Sequence, residues 1–163
     1  MTRRGILVGI DGSEGATGAL RWAVGEGLRR SVPVTALLAW TYLDQHDPDR
    51  KGSFDPAYTA AHAQEALATF VSDALGVDHD VRLVVECDRP ARALRDASSG
   101  YELVVLGARG ADGFVGLALG STSSGVLGHA SAPVALVRGP AGAGAVVAAI
   151  DGGTLIRMPV NGG

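Results

Sequence analysis

The chain has 163 residues, of which 47% are hydrophobic and 19% charged, a balance that favours one globular domain and excludes a disordered polar segment. Its formal charge is −3 without a stripe of basic residues, which argues against polymeric nucleic acid as a partner. No apolar run approaches the ~20 residues that cross a bilayer, and a single cysteine, Cys87, excludes an internal disulfide framework, so we expect a cytoplasmic protein that does not bind membranes.

Short apolar runs alternate with amphipathic stretches along the chain. The continuous apolar run 6–10 predicts a strand buried on both faces, and Ser13 predicts the N-cap of a helix over 14–30, with an apolar stripe from Ala16 to Leu28. The same patterns predict strands over 34–40, 81–86, 103–106 and 134–137, and helices over 56–75, 90–99 and 120–130. Because strands and helices alternate, we expect an α/β fold with a parallel sheet between two helical layers.

The tail, residues 140–163, differs from the domain predicted over 1–139. It is rich in Gly and Ala, and its segment 146–153 (VVAAIDGG) resembles the segment 6–13 (ILVGIDGS). Two interpretations stay open: the stub of a second copy of the domain, or a flexible or edge-pairing tail that resembles the first strand by chance.

Three motifs follow strand ends or begin a helix. Asp11-Gly12-Ser13 follows the first strand, Gly107-Ala108-Arg109-Gly110 follows the fourth, and Gly120-Ser121-Thr122-Ser123 begins the next helix. In open α/β sheets, ligands bind outside the carboxyl ends of the strands, where the winding direction reverses. If strands one and four are neighbours, all three motifs border one crevice.

Each residue type in these motifs has a physical role toward a phosphorylated ligand. Glycines let the backbone approach closely, and a helix N-terminus offers unpaired amides to an anion. Arg109 offers charge to an outer phosphate, and the hydroxyls of 121–123 offer donors. The Asp11 carboxylate suits ribose hydroxyls or a phosphate-bound Mg²⁺ rather than phosphate itself. The alternative is a purely structural role, in which the glycines only allow helix to pack against sheet and Asp11 only caps the first helix.

These motifs resemble the ATP-binding signature of the universal stress protein family, G-x2-G-x9-G-(S/T), which Gly107, Gly110 and Gly120-Ser121 match. The segments 10–13 and 128–138 also resemble that family's first-strand motif and its closing helix and strand. The resemblance covers roughly residues 4–138. It implies a three-layer α/β/α sandwich of the adenine nucleotide alpha hydrolase type, with a five-stranded parallel sheet in the order 3-2-1-4-5.

The resemblance also implies a ligand, a set of site residues and an assembly. ATP, with Mg²⁺ reached by Asp11, is the expected cofactor, and the base and ribose region would be formed by strand ends. The expected contacts to ATP are Gly9, Ile10, Asp11, Trp40, Leu106, Gly107, Arg109, Gly110, Gly120, Ser121, Thr122 and Ser123. Trp40 is bulkier than the residue common in the family, so that it narrows the adenine slot or stacks on the base. A homodimer through the last strand, Val134, Ala135, Leu136 and Val137, is expected as well.

Three functions are compatible with these motifs. A nucleotide-responsive regulatory module of the stress response is favoured. A slow ATPase or nucleotidyl transferase is the alternative, but the chain lacks the G-x4-G-K-(S/T) phosphate loop and its one lysine, Lys51, lies in a polar loop. A structural dimer that binds no nucleotide is disfavoured by the intact glycine signature.

Overall fold

A computed structural model describes residues 5–41, 56–108, 120–138, 147–151 and 154–158. In these ranges strands and helices alternate up to the fifth strand, and two further strands follow. The elements are β1 (Ile6–Ile10), α1 (Glu14–Arg30), β2 (Val34–Trp40), α2 (Ala60–Leu75), β3 (Val81–Cys87), α3 (Pro90–Ala97) with a 3-10 turn (Ser98–Gly100), β4 (Leu103–Gly107), α4 (Ser121–Val126), β5 (Val134–Val137), β6 (Val147–Asp151) and β7 (Thr154–Met158).

The strands form one sheet in the order β3-β2-β1-β4-β5-β6-β7. All pairs among the first five strands are parallel, with Val8 opposite Ala36 on one side and opposite Val105 on the other. The predicted parallel sheet in the order 3-2-1-4-5 is therefore confirmed. Because β1 and β4 are neighbours, the segments that follow them emerge at the same edge of the sheet.

The sheet is buried on both faces. One apolar cluster joins α1 and α2 to the sheet, and the other joins α3 and α4 to the opposite face. Every residue of β2 is buried, which explains why its sequence, VTALLAW, is a nearly continuous apolar run rather than an alternating one. No helix in the described ranges is long and apolar enough to cross a bilayer.

Several predicted boundaries and burial patterns needed correction. α2 begins at Ala60, because Thr59 is extended with φ of −129°, and α4 ends at Val126, because Leu127 leaves helical geometry and Gly128 has φ of +84°. Leu28 was expected in the buried stripe of α1 but is 77% exposed. The buried stripe ends at Gly27, although the helix continues to Arg30.

Two glycines of α1 give a matched test of this packing. A Cβ on buried Gly27 would lie 2.7 Å from Val34 Cγ2 and 3.0 Å from the Val32 carbonyl oxygen, whereas a Cβ on exposed Gly25 would meet nothing within 4 Å. We expect Gly27→Ala to lower the free energy of unfolding by roughly 1–3 kcal/mol through overpacking, and Gly25→Ala to raise it by about 0.5–1 kcal/mol through helix propensity. Urea denaturation measures both. Equal stability of the two variants would contradict the close approach of α1 to β2.

The tail extends the sheet. β6 pairs antiparallel with β5, and β7 pairs antiparallel with β6. The outer edge of β5, where the homodimer is expected, is thus hydrogen-bonded to the same chain. The domain boundary at residue 139 and the homodimer both stay predictions.

Candidate functional site

The turn after β1 brings a carboxylate, a glycine and a hydroxyl to the carboxyl edge of the sheet. The exposed Asp11 accepts hydrogen bonds at Oδ1 from the Ser13 backbone N–H (2.9 Å) and from the Ser13 hydroxyl (2.5 Å). The Ser13 Oγ accepts from the Ala16 N–H at 3.2 Å, which confirms Ser13 as the N-cap of α1. Gly12 has φ of +79°, and a Cβ there would meet nothing within 4 Å. The turn therefore needs a glycine for its backbone and faces open space.

The end of β4 packs directly on the first turn of α1. A Cβ on Gly107 would lie 2.5 Å from both the carbonyl carbon and the carbonyl oxygen of Gly15, and 3.0 Å from the Ala16 nitrogen. The Ala108 N–H donates to the Val137 carbonyl at 2.8 Å, so the chain continues along β5 past this contact. Gly107 is required by packing whatever it does toward a ligand. This contact fixes the Asp11–Ser13 turn relative to the end of β4.

α4 begins at the third motif, on the other side of the sheet from α1. Gly120 is its N-cap, with φ of −59° and ψ of 157°, and its carbonyl accepts from the Ser124 N–H at 2.9 Å. Ser121 is the first helical residue, Thr122 is half-buried and Ser123 is 5% exposed. The helix lies close to α3, since a Cβ on Gly125 would approach the Ala91 Cβ to 2.8 Å. α1 and α4 thus start at the carboxyl edge of the sheet on opposite faces.

A half-open cavity of about 510 Å³ lies beside the first motif, between the ends of β1 and β2 and the helix α2. Its lining residues differ sharply in polarity. The apolar members are Ile10, Leu38, Ala66, Leu67 and Phe70, together with the backbone of Gly12, and the polar members are His62, Glu65, Thr69 and Asp73. None of the described lining residues is a lysine or an arginine. The cavity suits an uncharged, flat group better than an anion.

An aromatic cluster stands next to this cavity. Trp40, which is 5% exposed, lies with its ring centroid 5.5 Å from that of Tyr58, and Tyr58 lies 5.6 Å from His62. Burial raises the pKa of Tyr58 above 10.0, so its hydroxyl is neutral at physiological pH. His62 Nδ1 accepts from the Thr59 backbone N–H at 3.1 Å, which leaves the proton of the neutral ring on Nε2. The Trp40 side chain belongs to the core beside α2.

The structure brings some of the predicted site residues together and assigns others to packing. Ile10 lines the cavity beside Gly12 of the first motif, and Gly107 touches the first turn of α1 at Gly15. A Cβ on Gly9 would lie 2.6 Å from Leu106 Cδ2 and 3.0 Å from Leu94 Cδ1, so the missing side chain of Gly9 is filled by core residues. Leu106 itself is 4% exposed. Arg109 and Gly110 lie outside the described residues.

Sequence reasoning missed the contribution of α2. The residues 62, 65, 66, 69, 70 and 73 recur at helical spacing next to the buried row Ala63, Leu67 and Val71, which is the sequence signal for a second stripe of α2 that faces the cavity. The sequence alone does not place this stripe at a cavity, because its surroundings depend on where α2 crosses β1 and β2.

A resident metal ion has no obvious cage in the described ranges. No group of three or more His, Cys, Asp or Glu side chains is placed there to hold one. Asp11 offers one exposed carboxylate, which suits a magnesium ion that arrives with a phosphorylated ligand, because Mg²⁺ is usually held by one or two carboxylates plus substrate phosphates.

Comparison with solved structures identifies the fold. The universal stress protein UspA from Lactobacillus plantarum superposes with a TM-score of 0.60 at 28% identity, covering 85% of this chain and 99% of that one. Two more distant structures share the fold: a universal stress protein in complex with cAMP (TM-score 0.60, 18% identity, 85% and 98% covered) and one from Archaeoglobus fulgidus in complex with dAMP (TM-score 0.53, 23% identity, 83% and 98% covered).

Comparison of sequences gives closer relatives. A universal stress protein from Mycolicibacterium smegmatis is 33% identical in an alignment 154 residues long that covers 85% of this chain and 49% of that protein. Universal stress protein Rv2005c from Mycobacterium tuberculosis is 36% identical in an alignment 138 residues long that covers 82% of this chain and 45% of that protein. The chain spans about half the length of these relatives. The universal stress protein family model matches residues 2–138, and the chain therefore belongs to the universal stress protein family.

Proposed function

We propose that this chain is a cytoplasmic, ATP-binding regulatory module of the stress response, in which the nucleotide lies across the carboxyl ends of β1 and β4. One observation carries the proposal. Ile10, one of the expected ATP contacts, lines the 510 Å³ cavity together with Gly12 of the first motif, and the first turn of α1, which follows that motif, is in contact with the end of β4 through Gly15 and Gly107. The cavity thus adjoins the strand end at which we expect the nucleotide to bind.

The cavity suits the base and ribose. Its volume falls within the roughly 300–1,000 Å³ of typical small-molecule pockets, and such pockets combine apolar walls with a few polar groups. Ile10, Leu38 and Phe70 supply apolar surface for a flat ring, and His62 and Thr69 supply hydrogen-bonding groups. Glu65 and Asp73 would repel phosphate. The triphosphate is therefore expected on the opposite side of Gly12 from α2.

The phosphates fit the glycine motifs. Beyond Gly12 lie the end of β4 and the start of α4, where Gly120 leaves the first amides of the helix uncovered by a side chain. Thr122 adds a hydroxyl, and we expect Ser121, Arg109 and Gly110 to complete the phosphate contacts. A magnesium ion bound with the nucleotide would neutralise phosphate charge, and we expect the Asp11 carboxylate to help hold it.

Relatives support an adenine nucleotide as the ligand class. Two universal stress proteins with this fold have been solved in complex with cAMP and with dAMP. This chain keeps the glycine spacing of the ATP-binding signature. We expect these glycines to bind the outer phosphates of a nucleotide whose adenosine lies in the cavity. ATP binding can regulate the protein if ATP has different affinities for two of its conformational states, because binding then shifts the balance between them.

Titration calorimetry of the full chain tests the proposal. Purified protein freed of nucleotide is titrated with ATP, AMP and cAMP in the presence of Mg²⁺. We expect one site per chain and tighter binding of ATP than of AMP, because only ATP reaches the motif at Gly120. Equal affinity for ATP and AMP would show that the triphosphate does not bind at that motif. The absence of measurable heat with any adenine nucleotide would refute the proposed function.

Asp11 permits a sharper test, because its two roles separate by substitution. Asp11→Asn keeps an oxygen acceptor for the Ser13 hydrogen bonds but removes the charge, whereas Asp11→Ala removes both. We expect Asp11→Asn to leave the melting temperature unchanged while weakening Mg-ATP by about 1–3 kcal/mol. Asp11→Ala should lose the same affinity and, in addition, roughly 1 kcal/mol of stability. Unchanged Mg-ATP affinity in Asp11→Asn would show that Asp11 stabilises the turn and does not contact Mg-ATP.

A further inference from the structure

The outer edge of β5 is covered along its full length by the chain's own tail. Val134, Ala135, Leu136 and Val137 of β5 lie opposite Ile150, Ala149, Ala148 and Val147 of β6, in antiparallel register. All four β5 residues are buried. The backbone groups on that edge of the central sheet therefore pair with β6 in this arrangement.

The covering element is a two-stranded hairpin. β6 and β7 pair from Asp151–Thr154 to Val147–Met158, with only Gly152 and Gly153 between the strands, a dipeptide suited to the tight turns of two-residue hairpins. A two-stranded hairpin alone is marginally stable in water. The hairpin also lies outside the part of the chain that the universal stress protein family model matches, residues 2–138.

β5, the strand that the hairpin covers, lacks the features that usually prevent an edge strand from pairing with another chain. Natural edge strands are protected by charges, proline or bulges, and β5 has the sequence VALV without any of these. β6 begins with VAAI, a similar run of small apolar residues, and it pairs antiparallel. A second copy of β5, related by a twofold axis, would run antiparallel to the first, as β6 does, and would present a similar run of small apolar residues.

We propose that the β6–β7 hairpin is a displaceable cap that competes with a second copy of this chain for the outer edge of β5. With the hairpin docked, the chain does not dimerise through β5; with the hairpin released, two β5 edges pair antiparallel. A short tether gives the hairpin an effective concentration on the order of millimolar. Capping therefore dominates at micromolar protein. This competition is independent of nucleotide binding.

Sedimentation velocity of the full chain and its variants, from micromolar to millimolar protein, tests the cap. Ala148→Pro combined with Ala149→Pro removes two successive β6 amides, of which one must face β5. We expect this variant to dimerise with a dissociation constant at least about tenfold below wild type, as the loss of a millimolar internal competitor implies. The matched control, Ala141→Pro with Ala143→Pro, lies before β6 and should sediment like wild type.

A second variant acts in the opposite direction. Gly152→Asn creates the Asn-Gly dipeptide favoured in two-residue turns and should strengthen the hairpin, so that any dimer seen at high concentration becomes weaker. Hydrogen exchange at residues 134–137 should show protection in wild type and in the dimer alike. A double-proline variant that stays monomeric and folded, or a wild type that dimerises as tightly as this variant, would overturn the proposal. A double-proline variant that fails to fold would overturn it too, because the hairpin would then be part of the core.

Discussion

Gly120→Val is expected to abolish ATP binding, lowering the affinity by about a hundredfold or more, the equivalent of about 2.7 kcal/mol. The N-cap of α4 has φ of −59° and ψ of 157°, a region open to all residues, so the backbone does not require glycine. The two methyl groups of valine would instead occupy the place that the proposed site gives to phosphate. Loss of stability should stay within about 1 kcal/mol, the cost of a poor N-cap.

The control for this variant is Ser124→Val, in the same helix. Ser124 is exposed, and its N–H donates to the Gly120 carbonyl, which valine preserves. It introduces the same β-branched side chain one turn from the site and should leave ATP affinity nearly unchanged. Wild-type affinity in Gly120→Val would show that the triphosphate is misplaced. Equal losses in both variants would point to damage of α4 rather than of a ligand site.

Gly107→Ala should be the most destabilising single methyl addition at the site. Its Cβ would lie 2.5 Å from backbone atoms of Gly15, and backbone cannot move aside as a flexible side chain can. Overpacking of this kind costs roughly 1–3 kcal/mol, and we expect the upper end. Each kilocalorie lowers the melting temperature by about 2–4 °C in a chain of this size. ATP affinity should fall as well, because the Asp11–Ser13 turn moves with α1.

Gly15→Ala is the matched control, because it adds a methyl group to the other side of the same contact. Its Cβ would lie 3.7 Å from the Ala108 carbonyl oxygen and from Ser13 Oγ, which is ordinary van der Waals separation. Stability should be unchanged or slightly higher, since alanine favours helix more than glycine does. If Gly107→Ala melted like Gly15→Ala, the close approach of β4 to α1 would be wrong.

Local sequence patterns were sufficient to predict the framework. β1, β2 and β5 lie where their apolar runs predicted, and α1 begins after Ser13 because that hydroxyl caps the helix. The parallel order follows from alternation and from the family resemblance together. Burial on both faces makes such strands easy to recognise, because polar residues rarely interrupt them; Thr35 is the one polar residue in β2.

Other features depend on tertiary contacts that no local pattern contains. The cavity arises where α2 crosses Ile10 and Leu38, two strand residues that are far from α2 in sequence. Gly9 and Gly107 were both predicted to contact ATP, yet both are also required by core packing, at Leu106 and at Gly15. The tail resembles β1 in sequence, but it pairs antiparallel with β5 rather than lying between parallel neighbours as β1 does.

Amide chemical-shift mapping of the isotope-labelled full chain during titration with Mg-ATP tests the central claim most directly. Saturable shifts are expected at Gly12 and Ser13, at Gly107 and Ala108, and at Gly120 to Ser123, with smaller shifts on the cavity face of α2. Shifts confined to other surfaces, or no saturable shifts at all, would contradict a nucleotide site at the joined ends of β1 and β4.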